Sequence, residues 1–433
     1  MPQLQRKISL FGLTMIAVGS CIGAGIFVTP GGIAQEIPHA GFFLIVWLLG
    51  GLVALTGALT FAELGGMFPK AGGVYVFLRE AYGERTAFLY GWSTLLIVNT
   101  GSMAALALAF AHYLSILLPL TANQQLLAAI GLLVVLTFIN IRGVEHSQRL
   151  TSGFTVVKLL CIGGIIFFAF LFAAPDRGSQ VWSLTAHDLP NVASALLAGL
   201  VGVLWAFGGW HHASYLAGES IHPQRTVPRA MLLGAGIVTG TYILVNFAYL
   251  LLLSPNELAA SSRVAADAVA TIWPAGGQWV ALIISISIAG TIAIYTMSAP
   301  RIYFAMASDG NFFSALAKLH PTFRTPANAM ILQAVWAALL ILFWGTIESL
   351  YAYVTFIDIA FMCLGGLSLF LFRQRIPAAS RPYRVWGFPV VPAIFIGITA
   401  AFVLNTVFVK PLEALVGLAV VAVGLGCFQF FRN

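Results

Sequence analysis

Hydrophobic and polar positions divide this chain into long apolar stretches joined by short polar connections. Twelve of the stretches reach about 17 residues or more, the lower limit for a helix that crosses a bilayer. They predict twelve membrane-spanning helices, named spans 1 to 12 in chain order, at 9–35, 42–66, 84–118, 124–140, 148–174, 189–218, 228–254, 277–306, 328–346, 349–373, 387–409 and 411–431. The predicted fold is therefore an all-α polytopic membrane protein.

Composition supports the same fold class. The chain has 433 residues, of which 60% are hydrophobic and only 8% are charged, and its mean hydropathy is +0.95. Soluble domains carry about 25% charged residues. No short apolar core is followed by a small-residue cleavage site, so we expect no cleavable signal peptide. We expect no structural disulfide either, because all four cysteines lie in apolar stretches: Cys21, Cys161, Cys363 and Cys427.

Basic residues are distributed unevenly between alternate connections. With the N-terminus in the cytoplasm, seventeen Lys and Arg residues lie on the inner side, and three lie outside, at Arg177, Arg263 and Lys410. The remaining one of the 21, Lys158, lies within span 5. An excess of inner basic residues is the positive-inside signature of membrane proteins. We therefore attribute the net charge of +7 to topology rather than to nucleic-acid binding, and we expect both termini in the cytoplasm.

Span 1 contains a stretch that is unusual for a membrane helix, AVGSCIGAGIFVTPGG at residues 17–32. The stretch carries five glycines and a proline, and each glycine weakens a helix by roughly 1 kcal/mol relative to alanine. Unwound backbone is tolerated within a membrane only where protein or a cavity meets its N–H and C=O groups. We interpret this stretch as a break in the helix.

Span 6 carries a second such stretch, WAFGGWHHASYLAGES at residues 205–220, five spans after the first. Close helix packing by small residues would explain one glycine-rich span. Two of them, at equivalent positions of two five-span halves, indicate a transporter binding site instead. The N-terminus of a half-helix attracts a carboxylate, and carbonyl groups freed by unwinding attract an ammonium. The two breaks together could bind both charges of an α-amino acid without a charged side chain.

Four blocks of the sequence resemble the amino acid–polyamine–organocation superfamily. GSCIGAGIFVTPGG in span 1 is similar to its helix 1 signature, and WAFGGWHHASYLAGE in span 6 is similar to helix 6 of its L-type amino acid transporter branch. FAELGGMFPKAGGVYVFLREAYG (61–83) resembles the loop between helices 2 and 3 of that branch. SAPRIYFAMASDGNFF (298–313) resembles the end of its helix 8. The blocks are spread over most of the chain, which looks like a bacterial-type homologue of this branch.

The resemblance implies a LeuT-like fold, an inverted repeat of five plus five helices in which helices 1 and 6 are discontinuous. A single transporter domain would cover 1–433, with repeat one at about 9–174, repeat two at about 189–373 and two further helices at about 387–431. Secondary transport of amino acids by alternating access is the function that this fold implies. The resemblance implies no cofactor.

The same resemblance assigns the substrate-binding residues. They lie in the two breaks and in span 10: Ser20, Cys21, Ile22, Gly23, Ala24, Gly25, Trp205, Phe207, Gly208, Gly209, Trp210, His211 and Asp358. The Ser20 hydroxyl and the backbone N–H groups of residues 23–25 would hold the substrate carboxylate. The carbonyl groups of Cys21, Trp205 and Gly208 would hold its ammonium.

Two of the aromatic positions carry further implications. Trp205 takes the place of an aromatic residue that caps the site from outside in the family. His211 stands where the family often has a polar amide, so the details of ammonium recognition, and any effect of pH, stay open.

Lys158 is the one basic residue placed inside a span, and a charge near the bilayer centre costs at least about 2.5 kcal/mol unless it finds partners. An internal ion pair would satisfy it, whereas snorkelling to an interface would have to cover roughly 15 Å. In the L-type branch, a helix 5 lysine occupies the place of the Na⁺ that other relatives bind between helices 1 and 8. Its partners would be helix 1 carbonyl groups and a helix 8 hydroxyl, for which the candidates are Ser285, Ser287 and Thr291. A tethered cation implies transport that needs no Na⁺.

Asp358 lies in span 10, fifteen residues before Arg373. Its carboxyl could meet a polar or cationic substrate side chain, carry a proton, or bond a neighbouring Tyr or Thr. The rest of the predicted pocket is mostly apolar, so we expect neutral L-amino acids as substrates. Transport of cationic or polar amino acids and proton-coupled symport are the alternatives.

Other functional classes are poorly supported by the sequence. Catalytic triads, metal-ligand motifs and phosphate loops are missing, so we expect no enzyme activity and no metal. A channel would show filter loops or pore-lining rings, and a transporter-like receptor would usually carry a soluble domain. The expected partners are L-amino acids and the lipid bilayer, in the plasma membrane of the cell. No cysteine lies in a predicted external loop, so we expect no covalently attached heavy chain.

Overall fold

The structure of the protein is a computed structural model that describes residues 4–172, 192–343 and 347–432. Within these residues, ten helices are long and apolar enough to cross a membrane, and two shorter apolar helices occur at Val192–Phe207 and Ala327–Phe343. These twelve elements lie where spans 1 to 12 were predicted. The prediction of an all-helical polytopic membrane protein is thus confirmed, while residues 173–174, 189–191 and 344–346 of the predicted spans lie outside the described residues.

The helices are numbered in chain order. They are α1 (Leu10–Cys21), α2 (Gly25–Glu36), α3 (Ala40–Met67), α4 (Val74–Tyr82), α5 (Glu84–Ser93), α6 (Asn99–Leu117), α7 (Ala122–Ile141), α8 (Val144–Phe172), α9 (Val192–Phe207), α10 (His212–Tyr215), α11 (Pro223–Leu252), α12 (Pro255–Ala260), α13 (Val264–Ala270), α14 (Gly276–Ser298), α15 (Pro300–Ser308), α16 (Ala327–Phe343), α17 (Ile347–Arg375), α18 (Val390–Val409) and α19 (Pro411–Arg432).

Two predicted spans are discontinuous helices: span 1 consists of α1 and α2, and span 6 consists of α9 and α10. Two other spans are continuous but irregular. Span 3 joins α5 to α6 through a π-helical segment, Thr94–Val98, which was not predicted from the sequence. In span 8 the helical hydrogen bonding is interrupted between α14 and α15, where Pro300 opens the second helix, because proline lacks the N–H that an uninterrupted helix would need.

Burial separates the inner spans from those that face lipid. At least 83% of the apolar segments of Leu10–Glu36, Glu84–Leu117 and Gly276–Ser308 is buried, against 28% or less for Ala122–Ile141 and Pro411–Phe431. The exposed side chains of the outer helices are apolar, as contact with lipid requires. Span 1 therefore lies in the protein interior, and the end of α9 next to the break of span 6 is mostly buried as well, so other helices can satisfy the backbone groups of both breaks.

Buried ion pairs tie the spans together at the end of the bundle that is predicted to be cytoplasmic. Glu63 at the end of α3 is fully buried; it accepts hydrogen bonds from Arg373 at 2.8 and 2.7 Å and from the Val385 N–H at 2.7 Å. Arg381 approaches the same carboxylate at 3.0 Å. These contacts give Glu63 a structural role, because they join α3 to the end of α17 and to the connection that follows it.

Candidate functional site

Span 1 breaks between Cys21 and Gly25. The Ile22 N–H still bonds the Val18 carbonyl, but the Gly23 N–H turns to the carbonyl of Cys21 at 2.8 Å, and α2 starts at Gly25. The first N–H groups of any helix have no intrahelical acceptor, and α2 begins directly at the break. The break thus presents both the donors and the acceptors that an amino acid backbone would need.

Lys158 crosses from α8 to this break. Its ammonium donates to the carbonyl groups of Gly19 at 3.0 Å and Ile22 at 2.6 Å, and it lies 2.8 Å from the Thr291 hydroxyl oxygen. The lysine is fully buried. A buried ammonium is tolerated in such surroundings because its three donors meet three oxygen atoms.

The three candidate hydroxyl groups of span 8 differ in their contacts. Thr291 meets the ammonium and also approaches the same two carbonyl groups, at 2.9 and 3.0 Å. The Ser285 hydroxyl bonds the Ala281 carbonyl within its own helix. The Ser287 hydroxyl is buried, with no hydrogen-bond partner among the described residues. Of the three candidates, the structure therefore places only Thr291 against Lys158.

Span 6 breaks after Phe207. The Gly208 N–H bonds the carbonyl of Trp205 at 3.1 Å, and the chain then turns through Gly209 before α10 begins. Gly209 has φ +128°, and a Cβ there would lie 2.7 Å from the carbonyl carbon of Ser20. Only glycine fits this position, because the conformation disfavours side chains and the backbone of span 1 leaves no space for one.

The two breaks are bonded to each other directly. The Ser20 hydroxyl donates to the Gly209 carbonyl at 2.8 Å, and the Cys21 thiol contacts the Phe207 carbonyl at 3.4 Å. Ser20 was predicted to meet a substrate carboxylate; in this structure its hydroxyl instead links span 1 to span 6. A substrate carboxylate would have to compete with the Gly209 carbonyl for that hydroxyl.

Tyr242 is a site residue that the sequence analysis missed. Its hydroxyl, on α11, lies 2.7 Å from the Cys21 carbonyl and 3.0 Å from the Ala206 carbonyl, so it bridges both breaks. The Cys21 carbonyl also accepts the Gly23 N–H and was predicted to receive the substrate ammonium. A tyrosine inside an apolar span needs a hydrogen-bond partner, and this requirement was the signal available in the sequence.

Two small cavities adjoin the breaks. One, of about 10 Å³, lies at the span 1 break; it is lined by Ser20, Cys21, Gly23, Ala24, Gly25, Ser102, Leu106, Trp205, Ala206, Thr291 and Tyr295. The other, of about 20 Å³, lies at the span 6 break; it is lined by Val98, Asn99, Ser102, Leu204, Trp205, Gly208, Gly209, His211, His212, Tyr295, Val354, Thr355, Asp358 and Ile359. We call the second the side-chain cavity. Each has room for about one water molecule, so an amino acid could enter only if the walls separate.

Asp358 and His211 both line the side-chain cavity. Both also line a neighbouring space of about 20 Å³, which residues of α3 line as well. Asp358 Oδ1 and His211 Nδ1 are buried without a hydrogen-bond partner among the described residues. Buried polar groups are normally paired. Two unpaired polar groups therefore make this wall more polar than the mostly apolar pocket that the sequence predicted.

The three predicted aromatic residues have different surroundings. Trp205 lines both cavities and is partly buried. Phe207 packs against Tyr242, with ring centroids 4.8 Å apart. Trp210 meets Phe61 edge-to-face at 5.5 Å. Of these three residues, only Trp205 lines both cavities, as Tyr295 of α14 also does.

Metal binding finds no support in the described part of the chain, which holds no group of three or more His, Cys, Asp or Glu residues that could bind a metal ion.

The family model for amino acid permeases matches residues 8–424. The chain belongs to the amino acid permease family. It is 33% identical over 426 residues to the serine/threonine exchanger SteT of Bacillus subtilis, with 96% of this chain and 95% of that protein covered. It is 30% identical over 436 residues to Asc-type amino acid transporter 1 of Mus musculus, with 98% and 81% covered. It is 30% identical over 435 residues to large neutral amino acids transporter small subunit 2 of Homo sapiens, with 98% and 79% covered.

Membership of this amino acid permease family confirms the resemblance found in the sequence. The relatives are named as amino acid transporters, and transporters are not enzymes. Together with the ten long apolar helices, the family supports amino acid transport by a multi-pass membrane protein.

Proposed function

We propose that this amino acid permease is a Na⁺-independent exchanger of neutral L-amino acids that works by alternating access. The observation that carries the proposal is the position of the Lys158 ammonium, bonded to two carbonyl groups of the broken span 1 and to Thr291 of α14. A tethered cation at this place supplies the positive charge that a bound Na⁺ would otherwise supply. Two relatives, one named as an exchanger and one as a transporter of large neutral amino acids, support the proposal.

We propose twelve spans in a single transporter domain over 1–433. Repeat one, at about 9–174, and repeat two, at about 189–373, form a LeuT-like five plus five inverted repeat, and the two further helices cover about 387–431. The two discontinuous spans, five apart, support this arrangement. We propose that both termini lie in the cytoplasm, which the inner excess of basic residues supports, and that the membrane is the plasma membrane.

Substrate recognition follows from the polarity of the two breaks. The carboxylate lies on the N–H groups of residues 23–25, where the half-helix α2 begins, and on the Ser20 hydroxyl. The ammonium lies on the carbonyl groups of Cys21, Trp205 and Gly208. Because the Tyr242 hydroxyl and the Gly23 N–H occupy the Cys21 carbonyl here, binding requires that the ammonium replace at least one of them.

Transport assays in proteoliposomes test this function. Vesicles that contain the purified protein are loaded with radiolabelled L-alanine, and efflux is measured with and without amino acids outside. An exchanger releases label only when an external substrate is present. Equal release into buffer that contains no amino acid contradicts exchange, steep dependence on Na⁺ contradicts the role of Lys158, and uptake driven by a pH gradient favours proton symport.

Trp205→Ala is expected to slow exchange about tenfold, equivalent to roughly 1.4 kcal/mol of barrier, while the apparent affinity for substrate changes less. Trp205 lines both cavities, and its ring closes the site over the substrate, which is the step that commits the cycle. Trp205→Phe, which retains a ring, serves as the matched control. An unchanged turnover rate in Trp205→Ala removes this residue from the gate.

Transport of polar or cationic amino acids is the second candidate, favoured by the unpartnered Asp358 Oδ1 on the cavity wall. An ionised carboxylate there would attract a cationic side chain, whereas a protonated one would not. We expect L-alanine and L-leucine to compete at least about tenfold better than L-arginine, a difference of roughly 1.4 kcal/mol in binding. The measurement is competition against labelled L-alanine in wild type and in Asp358→Asn. If L-arginine competes better than L-alanine and L-leucine in wild type but not in Asp358→Asn, the assignment of neutral substrates is wrong.

The relatives named as a small subunit raise the question of a partner chain. We propose that no heavy chain is attached covalently, since the four cysteines are free and lie within helices of the membrane domain. L-amino acids and the lipid bilayer remain the proposed partners, with no cofactor or metal.

A further inference from the structure

Span 3 contains an irregular turn at the level of the side-chain cavity. Residues Thr94–Val98 form a π-helical segment between α5 and α6. The Asn99 N–H bonds the carbonyl of Thr94, five residues back, rather than that of Leu95, four residues back. A π turn is a local rearrangement that often marks a functional position in a helix.

Side-chain donors hold the carbonyl groups of this segment. The Thr100 hydroxyl donates to the Leu95 carbonyl at 2.7 Å. The indole N–H of Trp336, on α16, donates to the Leu96 carbonyl at 2.9 Å. Such donors matter inside a membrane, because carbonyl groups left out of the helical pattern have no water to bond.

The π segment determines which residues of span 3 face the substrate. The side-chain cavity is lined by Val98, the last residue of the π segment, and by Asn99 and Ser102, which follow it. Gly101 packs closely on Val354 of α17, and a Cβ on Gly101 would lie 2.9 Å from its side chain. Relaxation of the π turn to an α-helix would rotate these residues by about 100°, one residue of helical turn.

We propose that Trp336 is a positioning residue for substrate side-chain selectivity, although it lies outside the side-chain cavity. The indole N–H stabilises the π segment, and the π segment holds Asn99 and Ser102 on the cavity wall. This inference rests on the proposed function, since it takes the cavity as the place of the substrate side chain. Trp336 lies on α16, outside both helix breaks.

The test compares Trp336→Phe with wild type in the proteoliposome exchange assay. Phenylalanine keeps an aromatic ring but removes the donor to Leu96. L-serine and L-leucine compete against labelled L-alanine, and the ratio of their half-inhibitory concentrations measures selectivity. We expect the ratio to change about fivefold or more, in the range of a lost hydrogen bond. Thr100→Val, which removes the other donor, should change the ratio in the same direction.

Matched controls separate positioning from general loss of stability. Trp92→Phe removes an indole donor to the Val420 carbonyl, at 3.2 Å, and Trp92 does not line the side-chain cavity. Thr137→Val removes a hydroxyl donor to the Leu133 carbonyl, at 2.7 Å, in α7. Both controls should keep the wild-type ratio, even if their maximal rates fall.

The outcomes distinguish this inference from the function on which it rests. An unchanged ratio in Trp336→Phe, with exchange retained, overturns the role of Trp336 alone. The same change in Trp336→Phe and Trp92→Phe also overturns it, because the effect would then be unspecific. If wild-type vesicles exchange no amino acid, the proposed function fails, and the inference fails with it.

Discussion

Lys158→Ala is expected to reduce amino acid exchange at least about a hundredfold, because hydrogen bonds from a charged donor contribute roughly 1.5–3 kcal/mol each. The variant removes the ammonium that bonds the Gly19 and Ile22 carbonyl groups. The single hydroxyl proton of Thr291 cannot replace it, since it can serve only one acceptor at a time. The carbonyl groups at the break would then be underpaired in a membrane interior.

Measurement of exchange and folding in parallel tests this expectation. Initial exchange rates are compared in proteoliposomes with equal protein, with Na⁺ or an organic cation outside, and folding is followed by size-exclusion chromatography in detergent. Lys318→Ala, at an exposed position outside the spans, is the control. Normal exchange in Lys158→Ala, or wild-type exchange that rises steeply with Na⁺, contradicts the proposed mechanism.

The sequence predicted the spans and the two breaks because both depend on local composition. Apolar length determines which stretches can cross a bilayer, and the glycines of spans 1 and 6 mark the places where helical bonding stops. The break of span 1 lies between Cys21 and Gly25, inside the predicted stretch. Lys158 could be singled out for a similar reason, since a lone charge in an apolar span needs partners.

Contacts between distant spans could not be predicted in the same way. Ser287 and Thr291 lie one turn apart on one face of α14, and the axial position of α14 against the break determines which one meets Lys158. The Tyr242 hydroxyl could have bonded any nearby carbonyl group.

The π segment has no glycine or proline to mark it: its sequence, TLLIV, is that of an ordinary apolar helix. Its donor Trp336 comes from a span more than 200 residues later.

The sequence placed His211 and Asp358 among the substrate-binding residues, but only the fold shows which polar residues share one cavity. Asn99, His211 and Asp358 come from three different spans and line the side-chain cavity together. Together they make selection by hydrogen bonding possible on a wall that was expected to be apolar, which is why the competition assay includes L-serine as well as L-leucine.

Glu219→Ala is expected to destabilise the protein strongly, by about 3–5 kcal/mol, as loss of one partner does for a buried ion pair. Glu219 follows the break of span 6 and accepts two hydrogen bonds from Arg301 of α15, at 2.8 and 2.7 Å. The two side chains are 1% and 0% exposed. Arg301 also donates to the Met297 carbonyl, so the variant would leave a buried guanidinium with one backbone acceptor.

The destabilisation is measured by thermal unfolding in detergent and by the amount of folded protein in membranes. The matched control is Glu145→Ala, which breaks the exposed pairs of Glu145 with Lys7 at 3.2 Å and with Arg149 at 2.6 Å, whose side chains are 40% or more exposed. An exposed pair contributes only about 0–1 kcal/mol, so this control should unfold close to the wild-type temperature. Equal destabilisation by the two variants would mean that burial does not determine the strength of the Glu219–Arg301 pair.

A double variant tests whether the Glu219–Arg301 pair acts only on stability or also in transport. Glu219→Leu with Arg301→Met replaces the pair by apolar side chains, and such replacements of buried pairs are often neutral or stabilising. We expect it to recover most of the stability lost in Glu219→Ala. If stability returns but exchange does not, the pair acts in the transport cycle as a link between span 6 and span 8. If both stability and exchange return, the Glu219 carboxylate and the Arg301 guanidinium serve only to pair with each other.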